Sequence, residues 1–288
     1  MARRFLILLL LVLSLLLVGK GWHLAKDGFA IGRISSFFPL PASCQEANHS
    51  LPEGVSWDEP FSYLGRGRQN YAFVSKDQRF VIKLPRWDLH QVPFWMRALP
   101  FLEDYRALYR KEKERRHRSL MKSFELAEHF LQQETALLFF HPAATRQLQK
   151  RVVLVDRLGR QFFIDLDCTA FLLQKRCDLL IPAFLSAVSR KDQTEKENLL
   201  TAFLRYNAVR TRKKIHNKDP TFQDNFAFEG KDVLQIDVGS LYLDDSIGLR
   251  SSFLKLVDPF CAFLKEVDPE MVSWFRAKAE EMACEFST

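Results

Sequence analysis

The segment YLGRGRQNYAFVSKDQRFVIKL, Tyr63 to Leu84, alternates apolar and polar residues on both sides of a glycine-bearing turn. Alternation of period two suits a half-buried strand, because successive side chains point to opposite faces. Three strands follow. One runs from Tyr63 to the turn at Gly65-Arg66-Gly67, a second continues through Ser75, and a third covers Arg79–Leu84 beyond Lys76-Asp77-Gln78. Pro85 lacks a backbone N–H and ends the third. The segment is therefore read as an antiparallel meander.

Downstream, Ser119–Phe140 carries a helical period, with Leu120, Phe124, Ala127, Leu131 and Leu138 on one face and Glu134 close to it. An acid on a buried stripe calls for a cationic partner. Arg151–Asp156, Gln161–Leu166 and Thr169–Lys175 read as further strands, and Leu179–Ser189 and Glu195–Val209 as helices. Ile215–Asn225 reads as irregular. Phe226-Ala227-Phe228 and Val233–Asp237 form a small hairpin, and two helices, Ser252–Lys265 and Pro269–Phe286, close the chain. This order predicts an α+β fold of two lobes: an antiparallel sheet with one helix over about 61–176, and a helical lobe over about 177–288.

Composition narrows the class. Of 288 residues, 47% are hydrophobic and 27% charged, which excludes a disordered chain and a many-span membrane protein. The net charge of +7 is concentrated in two places. One is the N-terminus, with Arg3, Arg4, Lys20 and Lys26 and no acid before residue 27. The other is 106–118, where seven Lys and Arg face only Glu112 and Glu114. The rest is slightly acidic, which argues against a broad nucleic-acid-binding surface. The basic segment reads as a solvated helix face or a contact for anionic lipid.

Phe5–Val18 is apolar except for Ser14 and follows a basic start. That layout predicts residues 1–26 to be a signal peptide or signal anchor, with 5–18 in the membrane. The chain is then membrane-anchored or secreted, and the flanking charges leave the side open. Residues 27–60, with Pro39, Pro41, Pro52 and Pro60, read as an irregular connector carrying the sequon Asn48-His49-Ser50. Five cysteines (Cys44, Cys168, Cys177, Cys261, Cys284) with no CxxC pair indicate neither a disulfide framework nor a zinc site.

Four features could carry chemistry. Gly65 and Gly67 in a strand-turn-strand setting let backbone amides approach phosphates. Lys83, in the same sheet, could reach those phosphates and pair with Glu134. The stretch His216–Asn225 holds Asp219 and Asn225, and Ile236-Asp237-Val238-Gly239 follows across the hairpin. Asn225 and Asp237 flank that hairpin and offer oxygen ligands of the kind that suits Mg²⁺.

In this order the motifs resemble the protein-kinase-like superfamily, in its divergent small-kinase branches. The resemblance covers roughly 61–240. It implies a membrane-associated phosphotransferase that uses ATP and Mg²⁺ on an alcohol acceptor. Gly65 and Gly67 would then be the phosphate-covering loop and Lys83 the strand lysine, with Glu134 its acidic partner. Phe171–Arg176 would lead to the adenine-binding hinge. Asp219 would be the catalytic base, and Asn225 and Asp237 the metal ligands. The chain departs from the pattern in several ways, among them Asn217-Lys218 before Asp219 where the family has Arg, and a long interval from Lys83 to the helix. Asn70 stands where a third glycine is usual, five residues separate Asp219 from Asn225 where the family has four, and no long activation segment follows Gly239. These departures also fit a catalytically inactive pseudokinase acting as an interaction module at a membrane. A third reading, from another class, is a basic peripheral membrane or nucleic-acid-binding protein.

Overall fold

The computed structural model describes residues 2–34, 50–93, 96, 103–142, 145–219 and 221–286, and its side chains exclude those of residues 2–6, 8, 11 and 12. The sequon Asn48-His49-Ser50 has two members outside this set, and Cys44 lies outside it. The fold is mixed α+β and divides into two compact units. A sheet unit comprises residues 1–106 and 141–173, and a helical unit comprises residues 107–140 and 174–288.

The sheet unit begins with α1 (Ala2–Ala25). Leu15, Leu16, Leu17 and Val18 are all exposed, so its apolar residues face every side. Among the described residues no helix is long and apolar enough to cross a membrane. The span expected at 5–18 falls partly on residues whose side chains are not described. Strands β1 (Phe61–Arg66), β2 (Asn70–Val74) and β3 (Phe80–Pro85) form the expected meander. β4 (Leu137–His141) falls mostly within the helical unit's residues, β5 (Arg151–Val155) and β6 (Gln161–Asp165) form a hairpin, and β7 (Phe171–Lys175) follows. The sheet order is β4-β7-β3-β2-β1-β5-β6. β1 pairs with β5 in parallel, so the sheet is mixed rather than purely antiparallel.

The expected connector is partly core. Phe29 is fully buried, with its ring 5.2 Å from Tyr71, 5.2 Å from Phe73 and 5.5 Å from Phe162. The Tyr71 hydroxyl donates to the Gly28 carbonyl at 2.9 Å, and the Tyr63 hydroxyl to Asp27 Oδ2 at 2.7 Å. Val55 and Trp57 are also buried. Full burial of one such ring is worth about 1.5–3 kcal/mol. The prolines made 27–60 look irregular, and a few well-placed apolar residues anchor it regardless.

The helical unit holds most of α2 (Glu103–Phe130), whose basic first half is largely exposed and whose later turns bury Leu120, Met121, Phe124 and Ala127. The expected helix to Phe140 is shorter, since Leu137–His141 forms a strand. After β8 (Asp178–Leu179) come α3 (Leu180–Arg190) and α4 (Gln193–Arg212). The Asp192 carboxylate caps α4 by accepting the Glu195 N–H at 3.0 Å. Helix α4 is buried on several faces and runs through a core that includes Phe184, Phe203, Phe253, Phe260 and Phe275. Strands β9 (Ile215–Asn217), β10 (Phe226–Glu229), β11 (Asp232–Gln235) and β12 (Leu241–Leu243) follow. Helices α5 (Leu249–Leu254), α6 (Val257–Val267) and α7 (Glu270–Ala283) close the chain. Lys196 and Asp268 are both buried and meet at 2.7 Å, tying α4 to the end of α6.

Candidate functional site

Gly65, Gly67 and Lys83 belong to the sheet unit, whereas Glu134, Asp219, Asn225 and Asp237 belong to the helical unit. In the sheet unit, β1 is irregular between Tyr63 and Gly65, and the Gly67 N–H closes the turn on the Asn70 carbonyl at 2.9 Å. An added Cβ would meet nothing within 4 Å at Gly65, and only an ordinary 3.6 Å contact at Gly67. Local packing therefore does not require either glycine. Lys83 pairs across the ladder with Ala72 and is half-buried between the buried Ile82 and Leu84.

In the helical unit, two short antiparallel pairs position the remaining residues. β9 pairs with β12 (Asn217 opposite Leu241), and β10 pairs with β11 (Phe226 opposite Gln235). The second ladder extends one step further, with the Ile236 N–H donating to the Asn225 carbonyl at 2.8 Å. Asn225 and Asp237 thus sit at the same end of the hairpin, as their spacing suggests. Asn225 is buried, and its Nδ2 donates to the Thr221 carbonyl at 2.8 Å. Asp219 starts an Asx-type turn: its Oδ1 accepts the Thr221 N–H at 3.0 Å, and its own N–H donates to Asn217 Oδ1 at 2.9 Å.

Asp237 and the residue after it are held from two sides. Gln235 Nε2 donates to the Asp237 carbonyl at 2.6 Å, and Gln235 Oε1 accepts the Tyr206 hydroxyl from α4. Burial pushes the Tyr206 hydroxyl pKa up, so it stays a donor. From α2, the fully buried Ser123 hydroxyl donates to the Val238 carbonyl at 2.5 Å and accepts the Leu241 N–H at 2.5 Å. The Gly239 N–H reaches Asp237 Oδ1 at 3.2 Å. Ser123, Tyr206 and Gln235 escaped the sequence reading. A polar residue on an apolar helix stripe, as Ser123 is, is the signal that could have found one of them.

Glu134 needs correcting. It lies not on a helix face but in the short turn Gln133–Thr135 after α2. Its Oε1 engages Lys213 Nζ at 2.8 Å, and the same ammonium donates to the Phe130 carbonyl at 2.7 Å. Lys213 is thus the cation on Glu134, a role the resemblance gave to Lys83, and it caps the end of α2.

A cleft of about 620 Å³ lies between α2 and β12, with Arg115, Arg118, Lys122 and Lys218 among its walls. Among the described residues no group of three or more His, Cys, Asp or Glu is placed to hold a metal. The Asp237 carboxylate and the Asn225 amide are hard oxygen donors. A pair of these fits Mg²⁺, which commonly takes one or two protein ligands and completes its shell with phosphate and water.

No protein-family model matches the chain, and no curated protein matches it in sequence. Solved structures do. A 2.2 Å crystal structure of WbdD is 13% identical over 77% of this chain and 44% of its own, with a TM-score of 0.38. A medium-resolution structure of the bifunctional kinase-methyltransferase WbdD is 15% identical over 77% and 44%, with a TM-score of 0.34. A co-crystal structure of WbdD with a kinase inhibitor is 14% identical over 78% and 46%, with a TM-score of 0.36. The chain spans less than half the length of these structures.

Proposed function

We propose that the chain is a kinase-like phosphotransferase that moves the γ-phosphoryl group of ATP to an alcohol. The observation that carries this reading is the common end of the β10–β11 hairpin, where Asn225 and Asp237 stand together with Asp237 braced through Gln235. Rigid support of this kind is what electrostatic and positional catalysis requires. Asn225 and Asp237 would hold Mg²⁺, which would neutralise charge on the nucleotide phosphates. Lys83 would hold the α- and β-phosphates, and the amides around Gly65 and Gly67 would cover them. Asp219 would take the proton of the acceptor hydroxyl. Glu134, already on Lys213, would tie α2 to the end of α4.

The test uses the full-length chain in detergent. ATP with Mg²⁺ should raise the unfolding midpoint, ATP with a chelator should do so much less, and Asp237→Asn should remove the difference. An unchanged midpoint in the wild type refutes the reading. Mg-dependent binding without turnover favours the pseudokinase, to which Asn70 in the glycine turn and the longer Asp219–Asn225 interval lend support.

The proposal includes a membrane setting. It is supported by apolar residues on every side of α1 and by the exposed basic half of α2, which suits anionic lipid. Release of the chain from membranes by alkaline carbonate would refute an anchor.

A further inference from the structure

Helix α4 buries two cations and treats them differently. Lys196 has Asp268 at 2.7 Å. Arg210, five residues before β9 begins and 3% exposed, has no carboxylate against it among the described residues. Its Nη2 donates to Asn207 Oδ1 at 2.8 Å, and its Nε is buried without an acceptor. Its electrostatic neighbours are the phenols of Tyr206 and Tyr242, and burial pulls its pKa down. A buried charge is kept only where something compensates it, because desolvation is otherwise too costly. Arg210 also cannot escape by losing its proton at ordinary pH.

Arg210 lines a cleft of about 260 Å³ whose other walls include His216, Lys218, Ser252, Lys255 and Leu256 and contain no Asp or Glu. Lys255 is exposed at the rim. Lys218 Nζ lies 5.2 Å from the Tyr242 ring and donates to Ser119 Oγ at 3.5 Å, both in the wall of the larger cleft. The Ser252 hydroxyl is 2.8 Å from His216 Nδ1, and His216 Nε2 is 3.0 Å from the Asp244 carbonyl. That carbonyl can only accept, so Nε2 carries a proton.

We propose that this cleft binds a phosphate-class oxyanion, inorganic phosphate or a phosphomonoester, whose charge completes Arg210. Arg210 and Lys255, with no acid among the walls, match a dianion better than a single carboxylate. The planar guanidinium offers paired donors to phosphate oxygens. The cleft is smaller than the roughly 300–1,000 Å³ of sites for drug-sized ligands, so it holds a phosphate group and little more. Asn217 and Lys218 belong to the wall and to the segment leading into Asp219, so a filled cleft braces that segment. The inference goes beyond the proposed reaction and stands even if the chain transfers no phosphoryl group.

The test measures the unfolding midpoint of the full-length chain in detergent against phosphate, without Mg²⁺ or nucleotide, at ionic strength held constant with chloride. Saturable stabilisation is expected, because a ligand that binds only the folded state shifts unfolding by mass action. Lys255→Glu, at an exposed position where folding is not at stake, should weaken the apparent affinity by about tenfold or more. Arg210→Gln should abolish the response. Lys83→Met should keep it, which separates this cleft from the proposed nucleotide site. Glycerol phosphate as tight as phosphate or tighter supports a phosphorylated molecule as the occupant, and a response to inorganic phosphate alone supports the free anion. No response beyond chloride, or equal responses in wild type and Lys255→Glu, overturns the proposal.

Discussion

Replacing Ser123 by alanine should loosen the segment after Asp237 more than any comparable change on α2. The serine oxygen is fully buried and serves two backbone groups at once, the Val238 carbonyl and the Leu241 N–H, each at 2.5 Å. Alanine removes one oxygen atom, which leaves too little room for water to replace it. Each orphaned buried group costs about 1–3 kcal/mol, and partial relaxation toward each other brings the pair to about 3 kcal/mol. The change is local to one segment of one unit, so it is best read segment by segment. Hydrogen exchange followed by mass spectrometry gives a local answer. Peptides covering β9 and β12 should lose protection by about a hundredfold, the equivalent of 3 kcal/mol at 1.4 kcal/mol per decade. Peptides from β5 and β6 should be unchanged. A loss of less than about threefold in β12 would mean that Ser123 does not hold the segment, and the support argued for Asp237 from α2 would fall with it.

Breaking the buried ion pair of α4 should be as costly. Asp268→Ala leaves Lys196 buried and unpaired, and the helical unit should lose about 3–5 kcal/mol in denaturant titration, whereas a loss under about 1 kcal/mol would show that the ammonium finds water. Acid should loosen the 145–168 segment of the sheet unit. The Ser75 hydroxyl and Arg79 hold the Asp77 carboxyl at about 2, below its ordinary 3.8. Burial alone would raise Asp156, but the Arg160 guanidinium and the backbone N–H groups of Arg160 and Leu158 outweigh it and leave the group lowered. Burial is outweighed in the same way at Asp167, by the Thr145 hydroxyl and the N–H groups of Leu148 and Gln149. A lowered carboxylate contributes stability that is complete above its unfolded value and is lost as pH falls through its folded value. Exchange in 145–168 should therefore rise as pH drops below about 4, and Asp156→Asn should flatten that dependence. Exchange in 145–168 that does not rise over that range would contradict this.

Local signals in the sequence reached as far as local pairing does. The meander of β1, β2 and β3, the β5–β6 hairpin and the β10–β11 hairpin pair within a few residues of a turn, and period-two alternation reveals them. β9 and β12 were missed, because each has three residues and its partner lies across the whole intervening hairpin. The end of α2 was missed because Leu131 and Leu138 keep the helical spacing across the polar break Gln132–Thr135, and Ala136–Phe140 is apolar beyond it. An apolar run suits a buried strand as well as a helix, and Glu134 was misplaced with it. Phe29 and Trp57 show the opposite case, in which a proline-rich stretch concealed residues that the sheet needs.

The candidate site divides along a similar line. Asp219 and the roles of all three acceptors rest on the resemblance, but the placement of Asn225 and Asp237 at one end of a short hairpin is legible from residue type and order. The groups that hold them are not. Ser123 lies 115 positions from the Val238 carbonyl it binds, and Tyr206 lies 29 from Gln235. Its place on an apolar helix stripe signals that Ser123 needs a partner, but nothing near it in the sequence says which. Arg210 falls between these cases. Four of the five residues Arg210–Lys214 are basic, which reads as a solvated cationic end of a helix. Only the fold separates Arg210, buried above a cleft without acids, from Lys213 and Lys214, which find Glu134 and Asp245 at the surface. Charge in a sequence indicates what a residue can bind, whereas burial determines whether it must bind something, and Arg210 is the described cation of α4 for which that requirement is still open.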